Sequence, residues 1–199
     1  MLEQLLSQPR IWDISRTLLD VAFGLYRKRM AVLASWGLPG DGAAVLDVGC
    51  GTGQYSRLPH ASYLGLDFDE RLIEFASRRR GDATTEFRAA DANTLSDATT
   101  YDVVLIVDAL HHLSDEELAT LLATVRKVGR HATVFEPVPH QTNRLGGWIV
   151  GHDRGAHVRP EAELLGFFER AGLRIARNQP LDLGPISTIA VLAEPLRST

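Results

Sequence analysis

The chain has 199 residues, 45% of them hydrophobic and 23% charged, and this balance excludes disorder and predicts one globular domain over residues 1–199. Its formal net charge of −4 excludes a general electrostatic attraction to nucleic acid, and its one cysteine, Cys50, excludes an internal disulfide framework. Because we find no secretory signal and no membrane-spanning run, we expect a soluble cytoplasmic protein that has neither nucleic acid nor membrane as a partner.

The N-terminal segment, residues 11–37, mixes apolar and charged residues and contains no proline. Ile14, Leu18, Leu25 and Met30 follow a helical pattern within it. We expect an amphipathic helix that packs on the domain as a helical lid over residues 1–40, ahead of a core at residues 41–199. A helix lying on a membrane surface is the alternative.

From Ala43 onward, apolar runs typical of strands alternate with segments typical of helices. This alternation predicts an α/β fold, a doubly wound and mostly parallel sheet covered on both faces. Only a few residues around 184–185 join the last two runs, too few for a crossover helix, so the last strand must be antiparallel. The seven predicted strands are AAVLDV (43–48), SYLGLD (62–67), TTEFRAA (84–90), YDVVLIV (101–107), HATVFEP (131–137), LRIARNQ (173–179) and ISTIAVLAE (186–194).

The stretch VLDVGCGTGQYS, residues 45–56, places three glycines directly after the first strand. A strand that runs into a glycine-rich turn is typical of nucleotide-type sites, since missing side chains let a ligand approach the backbone. Asp47 precedes the first glycine, and its carboxylate would repel a pyrophosphate but attract a cationic or zwitterionic ligand. We therefore expect a ligand without phosphate.

Two further acids follow neighbouring strands. Asp67 ends the second strand, where a carboxylate can accept hydrogen bonds from ribose hydroxyls, and Asp91 follows the third strand, where it can meet an adenine amino group. The plain alternative for each acid is a turn or a helix cap. Together with Asp47 they predict a nucleoside crevice at the carboxyl ends of the strands.

The segments VLDVGCGTG, LGLDFD, RAADA and YDVVLIVDALHHL resemble, in order and spacing, the motifs of class I S-adenosylmethionine-dependent methyltransferases. That resemblance implies a Rossmann-like sheet with a reversed seventh strand and S-adenosyl-L-methionine as cofactor, a phosphate-free sulfonium. It also implies roles for individual residues. Gly49, Cys50 and Gly51 would pass under the methionine part beside Asp47, Asp67 would hold the ribose, Phe68 would flank the adenine, Asp91 and Ala92 would meet the adenine edge, Val107 would line the pocket, and Tyr26 or Arg16 would reach the methionine carboxylate.

The histidine pair after the fourth strand, His111 and His112, contains the candidate general base for a hydroxyl acceptor. Adjacent helical residues point about 100° apart, so we assign His112 to catalysis and expect His111 to contact substrate or to pack. Asp108 and Glu136 end strands as metal ligands do in catechol-type enzymes, but the aspartate-asparagine pair of those enzymes is missing, so we expect no metal.

The long connection between the fifth strand and the next helix, residues 137–159, predicts a substrate loop. We assign Trp148, His152, His157 and Arg159 within it to acceptor binding. The predicted function is methyl transfer to a small-molecule acceptor. The alternatives are other chemistry at the same cofactor, a cofactor-binding protein without catalysis, and a nicotinamide dehydrogenase; the sequence leaves the oligomeric state open.

Overall fold

The computed structural model describes residues 9–139, 157–183 and 186–196. They form five helices and seven strands, with short 3₁₀ turns after β1, β3 and β4. The elements are α1 (Pro9–Phe23), α2 (Leu25–Ser35), β1 (Ala44–Val48), β2 (Ser62–Asp67), α3 (Glu70–Arg80), β3 (Thr85–Ala89), β4 (Tyr101–Val107), α4 (Asp115–Val128), β5 (Gly129–Pro137), α5 (Glu161–Arg170), β6 (Leu173–Leu183) and β7 (Ile186–Pro195).

All seven strands belong to one sheet in the order β3-β2-β1-β4-β5-β7-β6. Strands β1 to β5 pair in parallel, with β1 between β2 and β4. Because the chain leaves β1 toward one edge and later returns on its other side, a crevice opens at the carboxyl ends of β1 and β4. This topology gathers the glycine turn, Asp67 and the histidine pair at one edge.

The last strand runs against its neighbours, which confirms the prediction from the short connection. Strand β7 lies between β5 and β6 and is antiparallel to both. Leu183 pairs with Ile186, so two residues carry the chain from one strand into the next. The doubly wound α/β fold with a reversed last strand is therefore confirmed.

Apolar side chains fill both sides of the sheet. On one side, Ile106 of β4 packs with Leu118 and Leu122 of α4 and Phe168 of α5, all of them fully buried. On the other side, residues of α2, including Leu33, pack against β4 and β5. Helix α4 begins at a capping box between Ser114 and Glu117.

The N-terminal segment differs from the single packed helix that we expected. Gly24, with φ of 65°, separates α1 from α2, because a left-handed backbone conformation suits glycine and ends the first helix. Leu25 is buried, but Ile14 and Leu18 of α1 are exposed. Helix α2 is thus the packed part of the segment. No helix in the described ranges has the length and apolarity needed to cross a membrane.

Candidate active site

The glycine turn after β1 owes its composition to backbone conformation and packing. Gly49, Gly51 and Gly53 all have positive φ angles, and a Cβ atom at Gly49 would lie 2.8 Å from that of Ala109. The N–H groups of Gly49 and Cys50 both donate to the Leu66 carbonyl, at 2.8 and 2.9 Å. The turn therefore offers a ligand close approach, while these two donors are already satisfied inside the protein.

Asp47 lies beneath this turn and is 1% exposed. Its carboxylate accepts a hydrogen bond from the Tyr63 hydroxyl. Burial, opposed by that hydrogen bond and reinforced by the charge of Asp67, raises the pKa of Asp47 to about 7. A nearby cation stabilises the ionised form of such a buried carboxyl group strongly. This environment agrees with the cationic or zwitterionic ligand that the sequence predicts beside Asp47.

Asp67 ends β2 with both carboxylate oxygens oriented by backbone donors. Oδ2 accepts from the Gly51 N–H and Oδ1 from the Asp69 N–H, each at 2.9 Å. Phe68 follows with its ring largely exposed. A fixed carboxylate beside an exposed aromatic ring suits a ribose and a flat base, because each oxygen retains a further lone pair.

Asp91, Ala92 and Cys50 are also engaged within the protein. Asp91 caps the 3₁₀ turn Ala92–Thr94 by accepting the Asn93 N–H at 2.8 Å, which is the plain alternative considered from the sequence. Ala92 and Cys50 are buried, and burial, the main cause, raises the pKa of the Cys50 thiol. Their predicted contacts with the cofactor stay predictions.

A small cavity of about 40 Å³ opens between the glycine turn, β4 and α2. Asp47, Gly49, Val107 and Tyr26, four of the predicted cofactor residues, line it. A much larger groove of about 920 Å³ runs along β2 and β3. That groove contains none of the predicted site residues, so we place the site at the smaller cavity, where Asp47 lies beside the glycine turn.

Arg29 also lines the small cavity and was missed from the sequence. It is 4% exposed, and its guanidinium donates to Asp108 Oδ1 at 2.7 Å and to the Tyr55 hydroxyl at 3.2 Å. Its Nε is buried and has no hydrogen-bond partner among the described residues. The available signal was spacing: Arg29 follows Tyr26 by three positions and so shares its helix face.

The histidine pair lies in the 3₁₀ turn Leu110–His112, with one ring inside and one outside. His111 is 1% exposed, and its Nδ1 lies 2.6 Å from Glu136 Oε1. Both oxygens of Glu136 also accept backbone N–H groups of this turn, so Nδ1 acts as the donor. His112 is exposed, with its ring centroid 4.2 Å from that of His111, and its catalytic role stays a prediction.

The two acids weighed as metal ligands are occupied by protein groups. Glu136 binds the histidine turn, and Asp108 binds Arg29. Asp108 has a φ of 50°, a positive value rare for residues other than glycine, at the tip of β4. Within the described parts of the chain, no group of three or more His, Cys, Asp or Glu side chains is arranged to hold a metal.

The described end of the substrate loop contacts the histidine turn. The His157 N–H donates to the His111 carbonyl at 3.0 Å, and the His157 side chain is exposed. Arg159 differs from the expected acceptor contact, because its buried guanidinium binds Asp115 and the carbonyls of Leu110, Leu113 and His157. It is a brace between elements. Trp148 and His152 lie outside the described residues.

The sequence is similar to a methyltransferase family model and to proteins named as methyltransferases. Residues 45–131 match a family model described as a methyltransferase domain. A ubiquinone biosynthesis O-methyltransferase of Rhizobium etli is 30% identical over 172 residues, covering 75% of this chain and 67% of that relative. A demethylmenaquinone methyltransferase of Thermotoga maritima is 29% identical over 140 residues, covering 65% of this chain and 58% of that relative.

Solved structures share the fold at lower identity. Magnesium protoporphyrin IX methyltransferase from Synechocystis, with bound S-adenosylhomocysteine, matches with a TM-score of 0.65 and 21% identity, covering 90% of this chain and 83% of that one. The [4+2]-cyclase SpnF matches with a TM-score of 0.65 and 19% identity, covering 84% and 80%. At such identities these structures show a common fold. The sequence relatives and the strand order together show that the chain belongs to the class I S-adenosylmethionine-dependent methyltransferases and transfers methyl groups to a small-molecule acceptor.

Proposed function

We propose that this enzyme methylates a hydroxyl oxygen of a small aromatic acceptor related to quinones. The observation that carries the proposal is the 30% identity of this chain to an O-methyltransferase of ubiquinone biosynthesis, in a match that covers 67% of that relative. The second relative, named for demethylmenaquinone, supports the same acceptor class. An exposed histidine at the tip of β4 is also what a hydroxyl acceptor requires, because its proton must be removed.

The residues around the small cavity fit the cofactor. S-adenosylmethionine, when bound, supplies a methyl group activated by a sulfonium. Arg29 would hold the carboxylate of the cofactor, because its Nε is buried and has no hydrogen-bond partner among the described residues. We therefore prefer Arg29 to Tyr26 or Arg16 for this contact. Asp47 would hold the ammonium group. The remaining contacts would come from Asp67 to the ribose, Phe68, Asp91 and Ala92 to the adenine, and Tyr26, Gly49, Cys50, Gly51 and Val107 to the pocket wall.

The acceptor would lose its proton to His112. An aromatic hydroxyl has a pKa near 10, and a neutral imidazole that takes the proton as the new oxygen–carbon bond forms makes the oxygen a better nucleophile at pH 7. His111 is a positioning residue in this scheme. Its hydrogen bond to Glu136 and its contact with the His112 ring would fix the turn that presents His112.

The first test is product analysis with catechol and hydroquinone as acceptors. We expect a methyl ether and S-adenosylhomocysteine in equal amounts. The His112→Ala variant should lose about 100-fold in kcat and keep its affinity for S-adenosylhomocysteine. His131→Ala is the matched control, because this histidine lies at the distant start of β5 beside Glu194. Absence of methyl ether would refute the acceptor class, methylthioadenosine would indicate other chemistry, and full activity of His112→Ala would refute the base.

The remaining expectations complete the proposal. We infer one domain over residues 1–199, with a lid over 1–40 and a core over 41–199 that includes an acceptor loop at 137–159. The contact between His157 and His111 supports this place for the loop. We also propose a cytoplasmic enzyme that acts on neither nucleic acid nor membrane, supported by the single cysteine and the net charge of −4.

A further inference from the structure

A cluster of three polar side chains joins α1 to the glycine turn. Asp13 Oδ1 accepts hydrogen bonds from the Thr52 hydroxyl and from Arg80 Nη2, each at 2.9 Å. Arg80 Nη1 donates to the Thr52 carbonyl, also at 2.9 Å. Asp13, Thr52 and Arg80, the α1 cluster, therefore close a ring of contacts between the first helix, the turn after β1 and the end of α3.

The α1 cluster is largely excluded from water. Thr52 is 2% exposed, and the side chains of Asp13 and Arg80 are 14% and 10% exposed. By contrast, the ion pair of Arg78 with Glu74, on the same helix as Arg80, is open to solvent. When one partner of a buried ion pair is removed, the remaining charge is left uncompensated, so we expect neutralisation of Asp13 to weaken the docked position of α1.

Helix α1 makes polar contacts with other elements near both of its ends. Near its start, Asp13 binds the glycine turn and α3, and near its end, Asp20 Oδ1 accepts a backbone N–H of α2 at 2.6 Å. The apolar residues Ile14 and Leu18 between them are exposed and add little to docking. Gly24, with its positive φ, separates α1 from the packed α2. The α1 cluster is thus the polar attachment of α1 to the glycine turn.

The other side of the cluster reaches the cofactor residues. Thr52 lies between Gly51 and Gly53, and the Gly51 N–H is bonded to Asp67, the residue that we assign to the ribose. A shift of Thr52 toward or away from Asp13 therefore moves the neighbouring peptide that orients Asp67. Thr52 therefore links α1 to the proposed ribose contact through its neighbour Gly51.

We propose that the α1 cluster is a latch that couples docking of α1 to cofactor binding. This inference rests on the proposed function, since the cofactor must occupy the crevice beside the glycine turn. Asp13 and Arg80 touch neither cofactor nor acceptor in this scheme and act as positioning residues. Because coupling is reciprocal, the factor by which docked α1 tightens cofactor binding equals the factor by which cofactor stabilises docked α1.

The test compares full-length Asp13→Asn with wild type and with Lys127→Met, the control at an exposed ion pair on α4. Isothermal titration gives the Kd for S-adenosylhomocysteine, and hydrogen exchange reports on the amides of α1 with and without it. For Asp13→Asn we expect a Kd about 10-fold higher, a typical coupling, with kcat at saturating cofactor within about threefold of wild type. Cofactor-dependent protection of α1 should fall by the same factor as the affinity. Lys127→Met should match wild type in all three measurements.

The outcomes separate this proposal from the proposed function. Failure of wild type to bind S-adenosylhomocysteine would refute the proposed function. Binding by wild type, with unchanged Kd and unchanged protection in Asp13→Asn, would overturn the latch alone. If Asp13→Asn does not fold, Thr52→Val removes only the hydroxyl and leaves the ion pair, and it should raise the Kd by a smaller factor; an unchanged Kd would then overturn the latch.

Discussion

Asp47 carries the main electrostatic feature of the site. Its carboxyl group is buried beside Gly49, and burial, opposed by the Tyr63 hydrogen bond, raises its pKa to about 7. An unfolded aspartate titrates near 3.9. In the free protein the neutral carboxyl is therefore the preferred form at mildly acidic pH, and the stabilisation it provides is lost as the pH rises through 7. A bound cation reverses this preference.

Cofactor affinity should therefore depend on pH through Asp47. The ammonium group of S-adenosylhomocysteine favours the ionised carboxylate, so binding releases a proton and tightens as the pH rises. A free pKa of about 7 and a bound pKa below about 5 give a Kd about eightfold lower at pH 7.5 than at pH 6. Titration calorimetry at both pH values measures this change. Asp47→Asn should bind more weakly and show no such slope; an equal slope in the variant would assign the proton to another group.

The positions of the candidate site residues were predictable from sequence. The acids at strand ends and the glycines of the turn lie where expected, and their contacts with the cofactor stay predictions. Arg29 was missed because its charged neighbours in the sequence indicate a solvated helix face, and only packing of α2 on β4 and β5 buries it. The internal contacts of Arg159 were missed for the converse reason, since its polar loop does not reveal its bonds to distant carbonyls.

Arg159 acts at the scale of elements. It joins the segment before α5 to the histidine turn and to the first residue of α4, and its guanidinium also lies 5.3 Å from the centre of the Phe167 ring. Removing this buried guanidinium leaves three backbone carbonyls and a carboxylate without their donor. The brace thus contributes to folding and to the position of His112, which lies in the chain between Leu110 and Leu113.

Arg159→Met should lower the free energy of unfolding by about 3 kcal/mol, because it removes one partner of a buried polar network. Urea denaturation measures this change. Arg174→Met is the control, since Arg174 pairs with Glu194 at the surface, and it should change stability by less than about 1 kcal/mol. If Arg159→Met retained full stability while its KM for the acceptor rose, the original assignment to substrate binding would be right.

The sequence predicted the strands more accurately than the N-terminal helices. Apolar runs bounded by turn residues predicted all seven strands within a few residues, because burial on both faces of a parallel sheet requires them. The N-terminal helices were harder. Gly24 is tolerated inside many helices, and neither its left-handed conformation nor the exposure of Ile14 and Leu18 follows from a periodic pattern.

At the scale of the whole molecule, the strand order and the reversed β7 determine where the chemistry can occur. The carboxyl ends of β1, β2 and β4 meet at one crevice, which brings Asp47, Asp67 and His112 to the same edge of the sheet. At the small cavity this edge combines the acid Asp47 with a buried cation, Arg29. The combination suits a zwitterionic adenosyl compound and disfavours a pyrophosphate.

The most direct test of this account is a pair of calorimetric titrations of the purified protein, one with S-adenosylhomocysteine and one with NAD. We predict saturable binding of S-adenosylhomocysteine with a Kd in the micromolar range and no binding of NAD at millimolar concentration. Saturable binding of NAD together with no binding of S-adenosylhomocysteine would contradict the account.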